Sequence, residues 1–215
     1  MYLQARGELR TQLKLALRQG RTRRVSRSRT TVARGKIPNM VNISERPAEA
    51  EDRAVPGFWE GDLIVGKGGK SQIGTLVERS SRYVMLVRIP YDRTAERVAA
   101  LLARKMETLP EFLRNSVTWD QGKEMAGHAS FTIKTGIDVY FCDPHAPWQR
   151  GSNENTNGLL RQYFPKGTDL SSYSQAELDA VADELNNRPR ETLGWLKPTE
   201  VFNKFLVEAG GAHTT

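Results

Sequence analysis

The stretch Phe58-Trp59-Glu60-Gly61-Asp62-Leu63-Ile64-Val65-Gly66 decides how the rest of this 215-residue sequence is read. It is an apolar strand ended by the turn Lys67-Gly68-Gly69-Lys70, and it carries one carboxylate, Asp62, among Trp59, Leu63, Ile64 and Val65. An unpaired carboxylate in such surroundings is costly, so Asp62 requires a partner. Two further strands follow at residues 73–78 and 83–89, joined through Arg79-Ser80-Ser81-Arg82, and the three read as a meander.

Working towards the C-terminus, Thr94 caps a helix that runs to about residue 109, with Val98, Leu101, Leu102 and Met106 at helical spacing and Pro110 closing it. Val117-Thr118-Trp119-Asp120 is a short strand whose last residue is an acid. A short helix over residues 129–134 stops at Gly136, and Asp138-Val139-Tyr140-Phe141-Cys142 is a fifth strand. Pro144, Pro147 and Gly151 on one side and Pro165 on the other bracket a helix starting between Gln149 and Ser152. Ser174-Gln175-Ala176-Glu177 has the form of a capping box for a helix to Asn187, and a last helix starts after Pro198. This order predicts an α/β fold: a five-stranded mixed sheet flanked by helices, with the Asp62 strand central and the Asp120 strand parallel beside it.

Working towards the N-terminus, the charge is divided. The net +7 separates into +10 over residues 1–46, with twelve Lys/Arg against Glu8 and Glu45, and −3 over the remainder. Residues 1–46 therefore read as a basic arm and linker, residues 47–208 as the globular body, and 209–215 as a flexible tail. Arg21, Arg23, Arg24, Arg27 and Arg29 form like-charged blocks that seek a polyanion, and nucleic acid is the expected partner. One cysteine and three histidines make neither a disulfide nor a convincing zinc site, which fits a reducing cytoplasmic compartment. No apolar run approaches the length of a membrane span.

If the first and fourth strands are neighbours, Asp62 and Asp120 converge, and the helix after the fifth strand can bring Glu154 to the same point. Three carboxylates at one point repel unless a cation offsets them. Oxygen ligands with open positions suit Mg²⁺ or Mn²⁺, and a pair of such ions can serve a phosphodiester displacement. On the Glu154 helix, Arg150, Glu154, Asn157 and Arg161 share a polar stripe, so Arg150 and Arg161 are expected on backbone phosphates of a bound strand; the alternative is surface ion pairing with Glu154 or Asp169. Glu60 shares the side of Asp62, Glu124 reads as a solvated loop acid, Asp143 as a turn cap, and Trp148 as a packing residue. His145 reads equally as a turn residue or a substrate contact.

Three blocks, Trp59-Glu60-Gly61-Asp62, Thr118-Trp119-Asp120-Gln121-Gly122 and Pro147 to Asn155, resemble the acidic blocks of DDE transposases, with 33 residues between Asp120 and Glu154. The similarity is greatest to bacterial insertion-sequence family thirty. It extends to the block Leu160 to Leu170, to Asn186-Asn187-Arg188-Pro189-Arg190 and to Leu193-Gly194-Trp195, and it covers nearly the whole chain. It implies a ribonuclease-H-like integrase core, catalytic Asp62, Asp120 and Glu154 holding two divalent ions, strand cleavage and strand transfer of an insertion sequence, and a homo-oligomer on nucleoid DNA. Full-length members carry a helix-turn-helix end-binding region ahead of the arm, which this sequence lacks. A ribonuclease-H-type nuclease and a non-catalytic DNA-binding fragment are the two alternatives.

Overall fold

The computed structural model describes residues 37–90, 94–144 and 146–211. The arginine blocks at 21–29 and His145 lie outside the described residues. Six strands form one sheet: β1 (Val41–Asn42), β2 (Phe58–Val65), β3 (Gln72–Glu78), β4 (Val84–Ile89), β5 (Ser116–Trp119) and β6 (Asp138–Phe141), in the spatial order β1-β6-β5-β2-β3-β4. β2 is central, as its two-sided apolar character requires. It runs antiparallel to β3, with Asp62 opposite Thr75, and parallel to β5, with Glu60 opposite Thr118. The sheet has one strand more than expected. Val41–Asn42 pairs parallel with Tyr140 and Phe141, and Ile37 is buried in the core. Residues 37–46, read from sequence as part of the arm, thus lie against the body.

The helices are α1 (Glu49–Asp52), α2 (Ala95–Met106), α3 (His128–Thr135), α4 (Gly151–Leu160), α5 (Gln175–Asn186) and α6 (Pro198–Gly211). Local chemistry sets their ends. The Thr94 hydroxyl accepts from Arg97 N, Ser174 and Glu177 form the reciprocal capping box, and Gly136 stops α3 with φ +72°. Asp138 to Phe141 then returns parallel to β5.

Alternation along β2 divides the core into two layers. Trp59 packs on one face with Leu102 and Met106 of α2, Phe131 of α3 and Phe202 of α6. Ile64 packs on the other with Leu159 and Leu160 of α4 and Leu178 and Leu185 of α5. Glu60 and Asp62 keep the phase of Ile64, so they point to the layer that α4 covers. On the opposite side Gly61 leaves room for the buried Trp119 ring. A Cβ at position 61 would lie 2.1 Å from Trp119 Cζ3 and 2.3 Å from Cε3. This close approach sets the spacing of β2 and β5, the strands that carry or precede the two aspartates.

Gly61→Ala is therefore expected to destabilise the fold by about 1–3 kcal/mol, because a fully buried indole must move to admit one methyl group. Urea denaturation checks this: a lowered midpoint is expected, and an unchanged one contradicts the packing described.

Candidate active site

The sequence Gly61-Asp62-Leu63 places the Asp62 carboxylate three-quarters buried on β2, where it needs donors. It obtains them from Leu63 N to Oδ1 at 2.8 Å and from Asn157 Nδ2 of α4 to Oδ2 at 2.8 Å. Asp120 follows the last residue of β5, at the carboxyl end of a strand parallel to β2, and its Oδ1 accepts from Gly122 N at 2.8 Å. The two aspartates face one guanidinium. Arg150 Nη1 lies 3.6 Å from Asp62 Oδ2, and Arg150 Nη2 lies 3.5 Å from Asp120 Oδ2. These are ion-pair rather than hydrogen-bond separations. The true hydrogen bond of Arg150 goes from Nη1 to the Gly61 carbonyl at 2.7 Å.

The electrostatics follow from burial. Loss of water pushes Asp62 above the usual aspartate range, opposed by the Arg150 charge and the Leu63 N–H and reinforced by Asp120. Burial pulls Arg150 down, but the charges of Asp62 and Asp120 outweigh it and raise its pKa above the ordinary arginine value. Each carboxylate thus leans on the cation that the other also uses.

Helix α4 reaches the site through neutral amides. Asn153 is wholly buried: its backbone N–H donates to Glu60 Oε2 at 2.9 Å and its Nδ2 to the Glu60 carbonyl at 2.8 Å and Thr75 Oγ1 at 3.3 Å. Asn153 and Asn157 are one turn apart and define the docked face. Glu154 is rotated from Asn153 by about 100° around the helix and is exposed. Among the described residues no group of three or more His, Cys, Asp and Glu is close enough to hold a metal ion. Asp62 and Asp120 are brought together; Glu154 is on the adjoining helix but is not gathered with them.

Residues 52–147 match the family model of the integrase core domain. The chain is 58% identical over 207 residues, 96% of its length and 61% of the relative's, to a transposase for insertion sequence element IS1086 of Cupriavidus metallidurans. It is 49% identical over 189 residues, 88% of its length and 48% of the relative's, to transposase InsI for insertion sequence element IS30A of Escherichia coli. The chain is thus similar over most of its length to transposases of insertion sequences, and over residues 52–147 to the integrase core domain. It spans about half to three-fifths of the length of these curated relatives. The fold is also that of a retroviral integrase core: the catalytic core domain of BIV integrase superposes with a TM-score of 0.53 at 20% identity, covering 71% of this chain and 97% of that one.

At this site the donor chemistry fits a hard divalent cation, because two carboxylates converge on a single cationic position filled by a guanidinium. Asp62 and Asp120 are the residues that could hold it. Several residues sit differently from their sequence reading. Arg150 is buried against the aspartates instead of lying on an open stripe with Glu154. Arg161 turns to backbone carbonyls, 3.5 and 3.4 Å from Val65 O and 3.3 Å from Phe164 O. Trp148 is 73% exposed and packs on no core. Asp143 does act in a turn, accepting from Asn42 Nδ2 at 3.0 Å and Gln149 Nε2 at 2.9 Å. Glu60, read as a minor ligand candidate, is fully buried with Asn153 and with Arg79 Nε at 3.2 Å. No helix among the described residues is long and apolar enough to cross a membrane.

Glu124 is the acid that sequence reasoning undervalued. It lies partly buried under Trp119, whose Nε1 donates to Glu124 Oε1 at 3.4 Å, and burial first, then the charges of Asp120 and Asp62, push its pKa up. Its position two residues after Gly122 in a 3₁₀ turn was the available signal. A carboxyl with a raised folded pKa contributes its stability below the unfolded pKa and loses it as pH rises through the folded one. Glu124→Gln is accordingly expected to be more stable than the parent at pH 7, with the difference closing as pH falls to about 4. Thermal melts across that range check the sign; a difference that grows towards acid contradicts it.

Arg150→Gln should destabilise the chain by about 1–3 kcal/mol, the Asp120 contribution being reduced by solvent screening. Millimolar Mg²⁺ should restore more stability to the variant than it adds to the parent, since the ion and the guanidinium compete for the same carboxylates. Equal Mg²⁺ shifts in melting temperature would show that they do not.

Proposed function

We propose that this chain is the catalytic region of a DNA transposase that cuts and joins strands at the ends of an insertion sequence with the help of divalent metal. The observation that carries this reading is the pair Asp62 and Asp120, on and after neighbouring parallel strands, facing one cationic position. Asp62 and Asp120 would hold Mg²⁺ or Mn²⁺, with Glu154 of α4 as the third ligand and two ions as the full complement. An ion of this class supplies activation of an attacking oxygen and stabilisation of the leaving one.

The protein groups divide the remaining work. Asn157 orients Asp62 through its Oδ2, and Leu63 N holds the other oxygen. Gly122 N fixes Asp120. Asn153 locks α4 to β2, so the position of Glu154 is tied to that of Asp62. Arg150 is retained by the Gly61 carbonyl. When its ion pairs are released, its guanidinium is placed to receive a phosphate oxygen of the bound strand. Arg161 and the arginines of the basic arm, Arg21, Arg23, Arg24, Arg27 and Arg29, are proposed as further backbone contacts that position DNA without reading its sequence.

Two displacements complete the reaction. Water attacks the phosphodiester at the element's end, its proton leaves, and the bond to the 3′-oxygen breaks to free a 3′-hydroxyl. That hydroxyl then attacks a target phosphodiester, forming a new P–O bond as the target's own 3′-oxygen departs. A ribonuclease-H-type nuclease would stop after the first displacement.

Asp62→Asn, Asp120→Asn and Glu154→Gln should each lower Mg²⁺-dependent cleavage by at least about a hundredfold while leaving DNA affinity in EDTA nearly unchanged. Gel assays on labelled end-sequence duplexes with a target plasmid read both displacements. Full activity in one variant removes that residue from the site; cleavage without joined products assigns the chain to hydrolysis instead.

A further inference from the structure

A second basic site lies beside α4, away from the aspartates. The turn between β3 and β4, the end of α1 and the turn after α5 bring Arg82, Arg53 and Arg190 around one open cavity of about 300 Å³. Ser152, Asn155 and Thr156, from the first two turns of α4, complete its lining, and no acidic side chain is among the lining residues. Three arginines from three separate segments meet hydroxyl and amide donors there.

The backbone shows that two of these arginines are held in place at a cost. Arg53 has φ +60° and Arg82 has φ +62°, in the left-handed region where glycine or asparagine is the undemanding choice. They are two of the four non-glycine residues with positive φ among those described, and both line this cavity. A long cationic side chain kept at such positions indicates a use for the charge. Arg82 is half-buried and donates through Nη1 to Ser152 Oγ, which aims it at the cavity. Arg190 is anchored by Nη2 to the Leu185 carbonyl at 3.1 Å. Burial, and then the like charge of Arg53, depress the Arg82 pKa, partly offset by Glu60 and Glu78. Clustered cations of this kind are relieved by an anion with several oxygens.

We infer that the cavity formed by Arg53, Arg82 and Arg190 is a phosphodiester-binding subsite that grips the DNA backbone on the flank of α4. Arginine suits it because the planar fork can engage two phosphate oxygens at once. Asn155 lies in the lining and adjoins Glu154 in sequence, so a strand held here passes next to the helix that carries the third acid. Arg53 also lines a neighbouring groove of mixed charge, with Arg46, Arg79, Glu51, Asp143 and the exposed Trp148. This inference rests on the reading of DNA as substrate and adds a contact point that requires no metal.

The test uses the full chain in EDTA, with fluorescein-labelled duplex and single-stranded oligonucleotides titrated at several salt concentrations. Arg53→Gly removes a cation while giving the left-handed position its preferred residue, so it should melt no lower than the parent. It should bind both oligonucleotides about three- to tenfold more weakly, with the salt slope reduced by about one, as expected for one lost phosphate contact. Arg53→Lys should recover part of the affinity. Unchanged affinity and slope in Arg53→Gly would overturn the inference. So would protection of the parent, but not of Arg53→Gly, by inorganic phosphate while oligonucleotide binding stays the same; that result assigns the cavity to free anions. Because no metal is present, failure of Mg²⁺-dependent cleavage leaves this result intact, and a cleaving enzyme with an unaltered salt slope in Arg53→Gly rejects the subsite alone.

Discussion

Burial of a polar helix face against the central strand is the constraint on which the rest of this structure depends. Helix α4 presents Asn153 and Asn157 to β2, with Arg150 just ahead of them, and such groups enter an interior only when each finds a partner. They find them on three successive residues of one strand: Glu60, Gly61 and Asp62. Glu60 Oε2 and the Glu60 carbonyl accept from Asn153, the Gly61 carbonyl from Arg150 and Asp62 Oδ2 from Asn157, while Glu60 Oε1 faces Arg79 as an ion pair. The site is thus assembled by the same bonds that dock the helix. A change in the docking of α4 would move Glu154 and remove the Asn157 bond from Asp62.

The charge distribution follows. Asp62 and Asp120 would repel if they faced each other without a cation, and the Arg150 guanidinium supplies one from within the chain. Its ion-pair separations, 3.6 and 3.5 Å, are longer than its 2.7 Å bond to the Gly61 carbonyl. The arrangement holds the acidic pair around one cationic group. On the other flank of α4 the arginine cluster has no acid in its lining, so the helix separates a carboxylate site from a purely cationic one.

Much of this was legible in the sequence. The meander, the central strand with a carboxylate, the parallel strand ending at Asp120 and the helix after β6 follow from periodicity, breakers and caps, because burial on both faces writes itself as apolar runs. The Val41–Asn42 strand was not legible, since two residues carry no period and their pairing is set by β6. The helix face was misjudged for a physical reason. Formal charge marks Glu154 and Arg161 as the eventful residues, whereas neutral Asn153 and Asn157 make the buried bonds, and an asparagine reads equally well as surface. Trp148 fell the same way: an indole predicts packing, yet the 3₁₀ turn at Pro147–Arg150 carries it to the surface. Glu124 looked solvated because its cover is local: the 3₁₀ turn folds it back against Trp119, the last residue of the preceding strand β5.

The central claim is that the position between Asp62 and Asp120 is a divalent-metal position. A crystal of the chain soaked in Mn²⁺ and measured at the manganese absorption edge tests it most directly. The account predicts an anomalous peak about 2.2 Å from an oxygen of each aspartate, with the Arg150 guanidinium withdrawn from both while its bond to Gly61 persists. Saturating Mn²⁺ that leaves Arg150 between the two carboxylates, with no peak there, would contradict it.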